Sequence, residues 1–116
     1  MQVQKTLQDL SNRINDQPLG IAGLHAVYHF VLSGEEGGTY EIVFADNQAN
    51  YKMGVSREAG CKLELSDKDF IKLVEGRLNP TVAFVTGKLK ISGEMGLSFK
   101  LQTILHHYQT RKQRKN

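Results

Sequence analysis

The chain has 116 residues, 40% of them hydrophobic and 23% charged. That is one domain of ordinary globular composition, which excludes wholesale disorder, a TIM barrel and a two-halved dinucleotide-binding fold. No apolar run nears the ~20 residues of a membrane span. The opening Met1-Gln2-Val3-Gln4-Lys5 holds no apolar signal core, so the expected setting is cytoplasmic. The formal net charge is +3, and Arg111, Lys112, Arg114 and Lys115 account for it: the other 11 basic residues face 12 acidic ones, a net of −1. The basic character belongs to a tail over 111–116 and not to the domain over 1–110, so a nucleic-acid groove is not expected. The tail reads either as a solvated helix end, where cations suit the helix dipole, or as a tether to an anionic surface.

Val3, Leu7, Leu10 and Ile14 recur at helical spacing and predict an amphipathic helix over 2–15. Pro18 and its neighbours break it. The period then becomes two. A strand over 25–32 places Ala26, Tyr28, Phe30 and Leu32 on one face and His25, Val27, His29 and Val31 on the other. After a glycine-rich hairpin loop, Thr39 to Ala45 forms a second strand with Tyr40, Ile42 and Phe44 aligned. Asp46-Asn47 turns the chain into a third strand over 50–55, with Tyr51, Met53 and Val55 aligned. Cys61, Leu63 and Leu65 alternate with Lys62 and Glu64 in a fourth.

Ser66 then caps a helix, Asp69 completing a variant capping box, and Phe70, Leu73 and Val74 face inward. Gly76 ends it, and Asn79-Pro80 starts a short helix that runs through Phe84 and closes at Gly87. A fifth strand follows over 88–91. From about Glu94 a last helix aligns Leu97, Leu101, Ile104, Leu105 and Tyr108 on one stripe. The order predicts an α+β fold, a five-stranded, mostly antiparallel sheet covered on one face by helices.

No catalytic or metal-binding constellation emerges, and no cofactor is expected. Gly34, Gly37 and Gly38 lie beside two glutamates and read as turn glycines, not a phosphate cradle. Gly93-Glu94-Met95-Gly96 has the two-glycine form of a backbone-gripping loop, with an acidic, apolar insert unsuited to nucleic acid. His25, His29, His106 and His107 lack converging thiolates or carboxylates and read as solvated or singly hydrogen-bonded. Cys61, on an apolar strand face, reads as a small buried hydrophobe. An enzyme would need a carboxylate inside the apolar cluster, but Asp46, Asp67, Asp69, Glu75 and Glu94 fall at turns, caps and helix ends. What remains is an excess of apolar residues on helices. They form either a dry core or the walls of an apolar cavity, and periodicity does not separate the two.

Residues 61–105 resemble the sterol carrier protein type-2 family of lipid-binding domains. The resemblance rests on Cys61 to Phe70, Glu75-Gly76-Arg77-Leu78-Asn79-Pro80, Ala83-Phe84, the run Gly87-Lys88-Leu89-Lys90-Ile91-Ser92-Gly93, and Met95 to Leu101. It extends more loosely to Thr39-Tyr40-Glu41-Ile42-Val43. It implies an apolar tunnel between helices and sheet, non-catalytic binding and transfer of fatty acids, fatty acyl-CoA and sterol-like molecules, and a small-molecule lipid as partner. Lining residues are then expected among Phe70, Leu73, Val74, Leu78, Phe84, Leu97, Leu101 and Leu105, with Tyr40, Ile42 and Leu63 as floor or core. Headgroup candidates are the backbone near Asn79-Pro80, Gln102 and the first helix. Tyr108 and the tail are expected near the opening, the last helix serving as a gate that makes transient contact with an anionic membrane surface. The alternative is an accessory module of a lipid-metabolising assembly with a closed cavity.

Overall fold

The computed structural model describes residues 2–109. Helix α1 spans Gln2–Asp16 and buries Val3, Leu7, Leu10 and Ile14, the expected stripe. A single 3-10 turn, Pro18–Ile21, takes the chain round to the sheet. Strands β1 (Ala26–Ser33), β2 (Gly38–Ala45) and β3 (Gln48–Met53) form a meander, and β4 (Cys61–Ser66) and β5 (Lys90–Gly93) complete the sheet. Helices α2 (Asp67–Val74) and α3 (Pro80–Val85) lie between β4 and β5, and α4 (Met95–His107) follows β5.

The strand order is β3-β2-β1-β4-β5. Three pairs are antiparallel, while β1 and β4 are parallel, Tyr28 standing opposite Cys61 and Leu32 opposite Leu65. The parallel pair follows from the path of the chain: after β3, residues 54–60 cross the sheet to its other half and enter β4 in the same direction as β1. The sheet is therefore mixed, with antiparallel pairing predominant.

One face of the sheet holds the core. Tyr28, Phe30, Leu32, Tyr40, Ile42, Phe44, Cys61, Leu63 and Leu65 are buried there with the apolar faces of α1, α2 and α4. Phe30 meets Phe70 of α2 with ring centroids 5.0 Å apart, and Tyr28 meets Phe44 edge-on at 5.7 Å. On the opposite face Val27, Val31 and Val43 are only half-buried.

Local chemistry fixes the joints. Asp46 and Asn47 both have positive φ (53° and 59°), the two-residue hairpin turn that matches strand twist. Ser66 caps α2 by accepting from the Asp69 amide at 3.0 Å. The hairpin loop ties down two helices at once: the Glu36 carboxylate accepts from the Val3 amide at the start of α1, while the Glu36 amide donates to Asp67 at the start of α2. The bond from the Glu36 amide foremost, with that from the Lys68 amide, holds the Asp67 carboxyl below its ordinary range against the effect of burial. Gly34 must be glycine, since its φ is +107° and a side chain there would run into the Asp67 carboxylate.

Two strands are displaced by two residues from the sequence expectation. β3 begins two residues earlier and ends at Met53, so Val55 falls in the crossing loop. Its one buried residue is Ala49, while Met53 and Val55 are exposed. The cause is that Asn15 of α1 clamps the start of this edge strand, donating to the Ala49 carbonyl at 2.9 Å and accepting from its amide at 2.7 Å. β5 occupies Lys90–Gly93 instead of 88–91. Lys88 and Leu89 are spent closing α3, their amides donating to the Ala83 carbonyl. The tail at 111–116 lies outside the described residues.

Candidate functional site

The connection between α2 and α3 builds one wall of the site. Gly76, at φ +81°, reverses the chain after α2: its amide donates to Leu73 and that of Arg77 to Lys72, the Schellman pattern. Asn79 then caps α3, its side-chain oxygen accepting from the Thr81 and Val82 amides at 2.8 and 3.1 Å, and Pro80 takes the first helical position. The second wall is the C-terminal half of α4. Its end is latched to the 3-10 turn by Tyr108, whose hydroxyl accepts from the Gly20 amide at 2.9 Å and donates to the Gln17 carbonyl.

Between the walls lies an open cavity of about 500 Å³ bounded by Leu73, Leu78, Pro80 and Leu105 on its apolar side. Arg77, Asn79, Gln102, His106 and Gln109 supply its polar rim. That volume falls in the range of small-molecule sites. Behind it, Leu73, Pro80, Gln102 and Leu105 are shared with an inner apolar crevice that continues between Leu63, Leu89, Ile91, Ser98 and Leu101. The crevice encloses only about 10 Å³, close to what one water needs. The site is thus an open mouth with a polar rim, leading to an apolar interior that is shut in this conformation.

The eight residues expected to line a tunnel separate into groups. Leu73 and Leu105 border both mouth and crevice, Leu78 the mouth and Leu101 the crevice. Phe70 and Val74 are buried in the core between α2 and the sheet. Leu97 is half-buried and borders a different hollow, about 360 Å³, beside Val27, Val43 and Arg57. Phe84 is 48% exposed. Leu63 forms part of the crevice floor, whereas Tyr40 and Ile42 are core. Asn79, Pro80 and Gln102 lie at the mouth, while the first helix contributes nothing to it.

Sequence reasoning missed Arg77, His106 and Gln109 at the rim. A signal existed: Gln102, His106 and Gln109 recur at spacings of four and three, a polar stripe beside the apolar one on the last helix. Arg77 is held at the rim by Glu75, whose carboxylate accepts from both Nε (2.8 Å) and a terminal nitrogen (2.5 Å) of the guanidinium. Of the expected stripe on α4, Leu101, Ile104, Leu105 and Tyr108 are buried and Leu97 is half-buried.

The buried polar groups elsewhere are structural. The Tyr28 hydroxyl donates to the Leu97 carbonyl at 2.7 Å, and burial pushes its phenol well above the ordinary range. Burial, then the neighbouring Glu94, raises the Cys61 thiol. On the outer sheet face His29 stands directly opposite Glu41 and joins it at 2.9 Å. The same carboxylate accepts from the Ser56 hydroxyl and from the Ser56 and Arg57 amides, pinning the crossing loop over the sheet. Among the described residues no cluster of three or more His, Cys, Asp or Glu could hold a metal ion.

Residues 6–106 match the SCP-2 sterol transfer family. The chain is 36% identical over 104 residues to hydroxysteroid dehydrogenase-like protein 2 of Xenopus laevis, a match covering 89% of this chain and 24% of that protein. It therefore spans about a quarter of the length of the curated relatives of that name. Among solved structures, the sterol carrier protein domain 2 of Helicoverpa armigera superposes with a TM-score of 0.76 at 28% identity, covering 99% of this chain and 94% of that one. The Aedes aegypti sterol carrier protein-2 in complex with palmitate has the same fold, with a TM-score of 0.73 at 14% identity over 97% of this chain and 98% of that one. A mixed five-stranded sheet with its helices on one face, an apolar mouth beside α4 and a match over nearly the whole length agree: this chain belongs to the SCP-2 sterol transfer family.

Proposed function

We propose that the domain is a non-catalytic carrier that takes a lipid acyl chain through the mouth between the α2–α3 connection and α4. The observation that carries the proposal is the continuity of residues: Leu73, Pro80, Gln102 and Leu105 belong both to the open mouth and to the closed crevice behind it. An apolar chain entering the mouth therefore meets side chains that also line the crevice, and parting α4 from the sheet lengthens the site inward. Burying about fourteen methylenes at ~0.8 kcal/mol each gives roughly 11 kcal/mol gross. Association costs of ~4 kcal/mol or more leave at most about 7 kcal/mol, an affinity of about 10 μM. Leu73, Leu78 and Leu101 are the proposed chain contacts, with Leu105 at the passage between mouth and crevice and Phe70 and Val74 behind them.

The rim suits an anionic or hydrogen-bonding headgroup, because Arg77, Asn79, Gln102, His106 and Gln109 surround the outer end. Fatty acids, fatty acyl-CoA and sterol-like molecules are the proposed ligand classes. The palmitate held by the Aedes aegypti protein supports the first of these. Transient contact with an anionic membrane, in the cytoplasm, is part of the same proposal, since a carrier must load and unload. The dehydrogenase-like name of the longer relatives concerns proteins of which this domain matches one part.

One observation favours a second reading. The crevice is shut, as in an accessory module whose cavity never opens. Native mass spectrometry of protein purified without detergent, followed by solvent extraction and by titration with palmitate, decides between them. A discrete adduct, or one formed on titration, is expected. A clean apo mass unchanged by excess palmitate would overturn the carrier reading.

A further inference from the structure

Helix α3 keeps most of its side chains in water. Of its six residues only Ala83 is buried. Val82, Phe84 and Val85 are 56, 48 and 75% exposed, three large apolar side chains within four consecutive positions. Such a cluster on a small domain marks a surface that is covered by something else.

Its surroundings say what. Between Glu75 and Glu94 the chain has no carboxylate, and all its charges, Arg77, Lys88 and Lys90, are positive. Lys90 stands opposite Glu64 across the β4–β5 pair, and Arg77 is engaged by Glu75. Lys88 is exposed three residues beyond Val85, and it shares a shallow hollow with Asp69 and Glu64. At the other end of the helix, Asn79 and Pro80 are themselves part of the mouth of the lipid site. The exposed apolar turn thus adjoins the mouth, with Arg77 before it and Lys88 and Lys90 after it in the chain; its own segment holds no acidic residue, and Glu75, Glu64 and Asp69 stand beside these cations.

We infer that α3 is the surface by which this domain docks on an anionic lipid bilayer, Val82, Phe84 and Val85 entering the acyl boundary while Lys88 and the Arg77 rim meet the headgroups. The inference rests on the carrier reading, since docking there sets the mouth against the bilayer and lets a chain pass without crossing water. It also assigns the membrane contact to α3 and not to the buried stripe of α4.

The chain contains no tryptophan, so one introduced residue reports alone. Val85→Trp on α3 is compared with Leu19→Trp on the 3-10 turn, a position 84% exposed. The full chain is mixed with phosphatidylcholine vesicles containing or lacking phosphatidylserine. Val85→Trp emission is expected to shift to the blue, and to be quenched by brominated acyl chains, with phosphatidylserine present, more weakly at high salt. Leu19→Trp emission is expected to stay as in buffer. In the otherwise native chain, Val82→Asp with Val85→Asp should lower vesicle binding roughly tenfold or more per side chain, while palmitate binding in solution is retained. An unshifted Val85→Trp spectrum, or a shift confined to Leu19→Trp, would overturn the docking face. A blue shift that grows with protein concentration in the absence of vesicles would assign α3 to a second copy of the chain and overturn it equally. Because palmitate binding is read separately by native mass spectrometry, failure of docking and failure of the carrier reading give different results.

Discussion

Glu41 shows how much one charged residue in an apolar strand can organise. Burial alone would raise its carboxyl, but the bond from His29, then those from the Ser56 hydroxyl and the Arg57 and Ser56 amides, hold it down at about 2 against an ordinary 4.5. A depressed folded value means that its contribution to stability is complete above about pH 4.5 and is lost as the pH falls toward 2. Glu41→Gln should therefore cost about 2 kcal/mol at neutral pH, because the amide turns a donor toward groups that need an acceptor. The gap between wild type and variant, followed by thermal unfolding, should narrow from pH 4.5 downward. A gap that stays constant through that window would show that the carboxylate does not anchor the loop. Since the pair lies on the sheet face away from the mouth, palmitate binding at neutral pH should be unaltered in any folded variant.

The elements around the mouth differ in how firmly they are held. α1 and α2 are sunk into the core along full apolar stripes. α4 is tied at its end by Tyr108, while along its length it closes the crevice with Leu101, Gln102 and Leu105. α3 rests on little more than Ala83. Ligand-admitting segments are drawn from the less stable parts of a fold, which makes α3 and the adjoining face of α4 the parts expected to yield. Leu105→Ala tests this, because that side chain separates mouth from crevice. It should destabilise the free protein by about 2–5 kcal/mol, yet leave palmitate binding intact or tighter, as space opens where the chain must go. Denaturant unfolding with and without palmitate reads both quantities. Destabilisation with complete loss of binding would mean that Leu105 is a contact the chain cannot replace and not a door.

At the scale of the molecule, the architecture was legible because each buried face announced itself by period: Val3 to Ile14 at helical spacing, Tyr28 to Leu32 and Cys61 to Leu65 at two. The Ser66 cap and the helix start at Asn79-Pro80 were legible because such signals act within three residues of themselves. What was not legible depends on partners distant along the chain. Asn15 fixes where β3 begins through a bond across 34 residues, and His29 meets Glu41 only because the register of β1 and β2 makes them opposite. The site shows both limits. Leu73 and Leu105 were named from their stripes, but Phe70, Leu97 and Phe84 share the same apolar character and end up in the core, beside another hollow and in water. Composition marks a residue as apolar, and only packing decides whether it borders a cavity.

Amide NMR shifts during titration with palmitate locate the chain-binding site. The changes should concentrate at Leu73, Leu78, Leu101, Gln102 and Leu105, fade across α1, and be near zero at Glu41 and the crossing loop. Changes centred instead on the hollow beside Val27, Arg57 and Leu97, with α4 around Leu105 unmoved, would contradict that location.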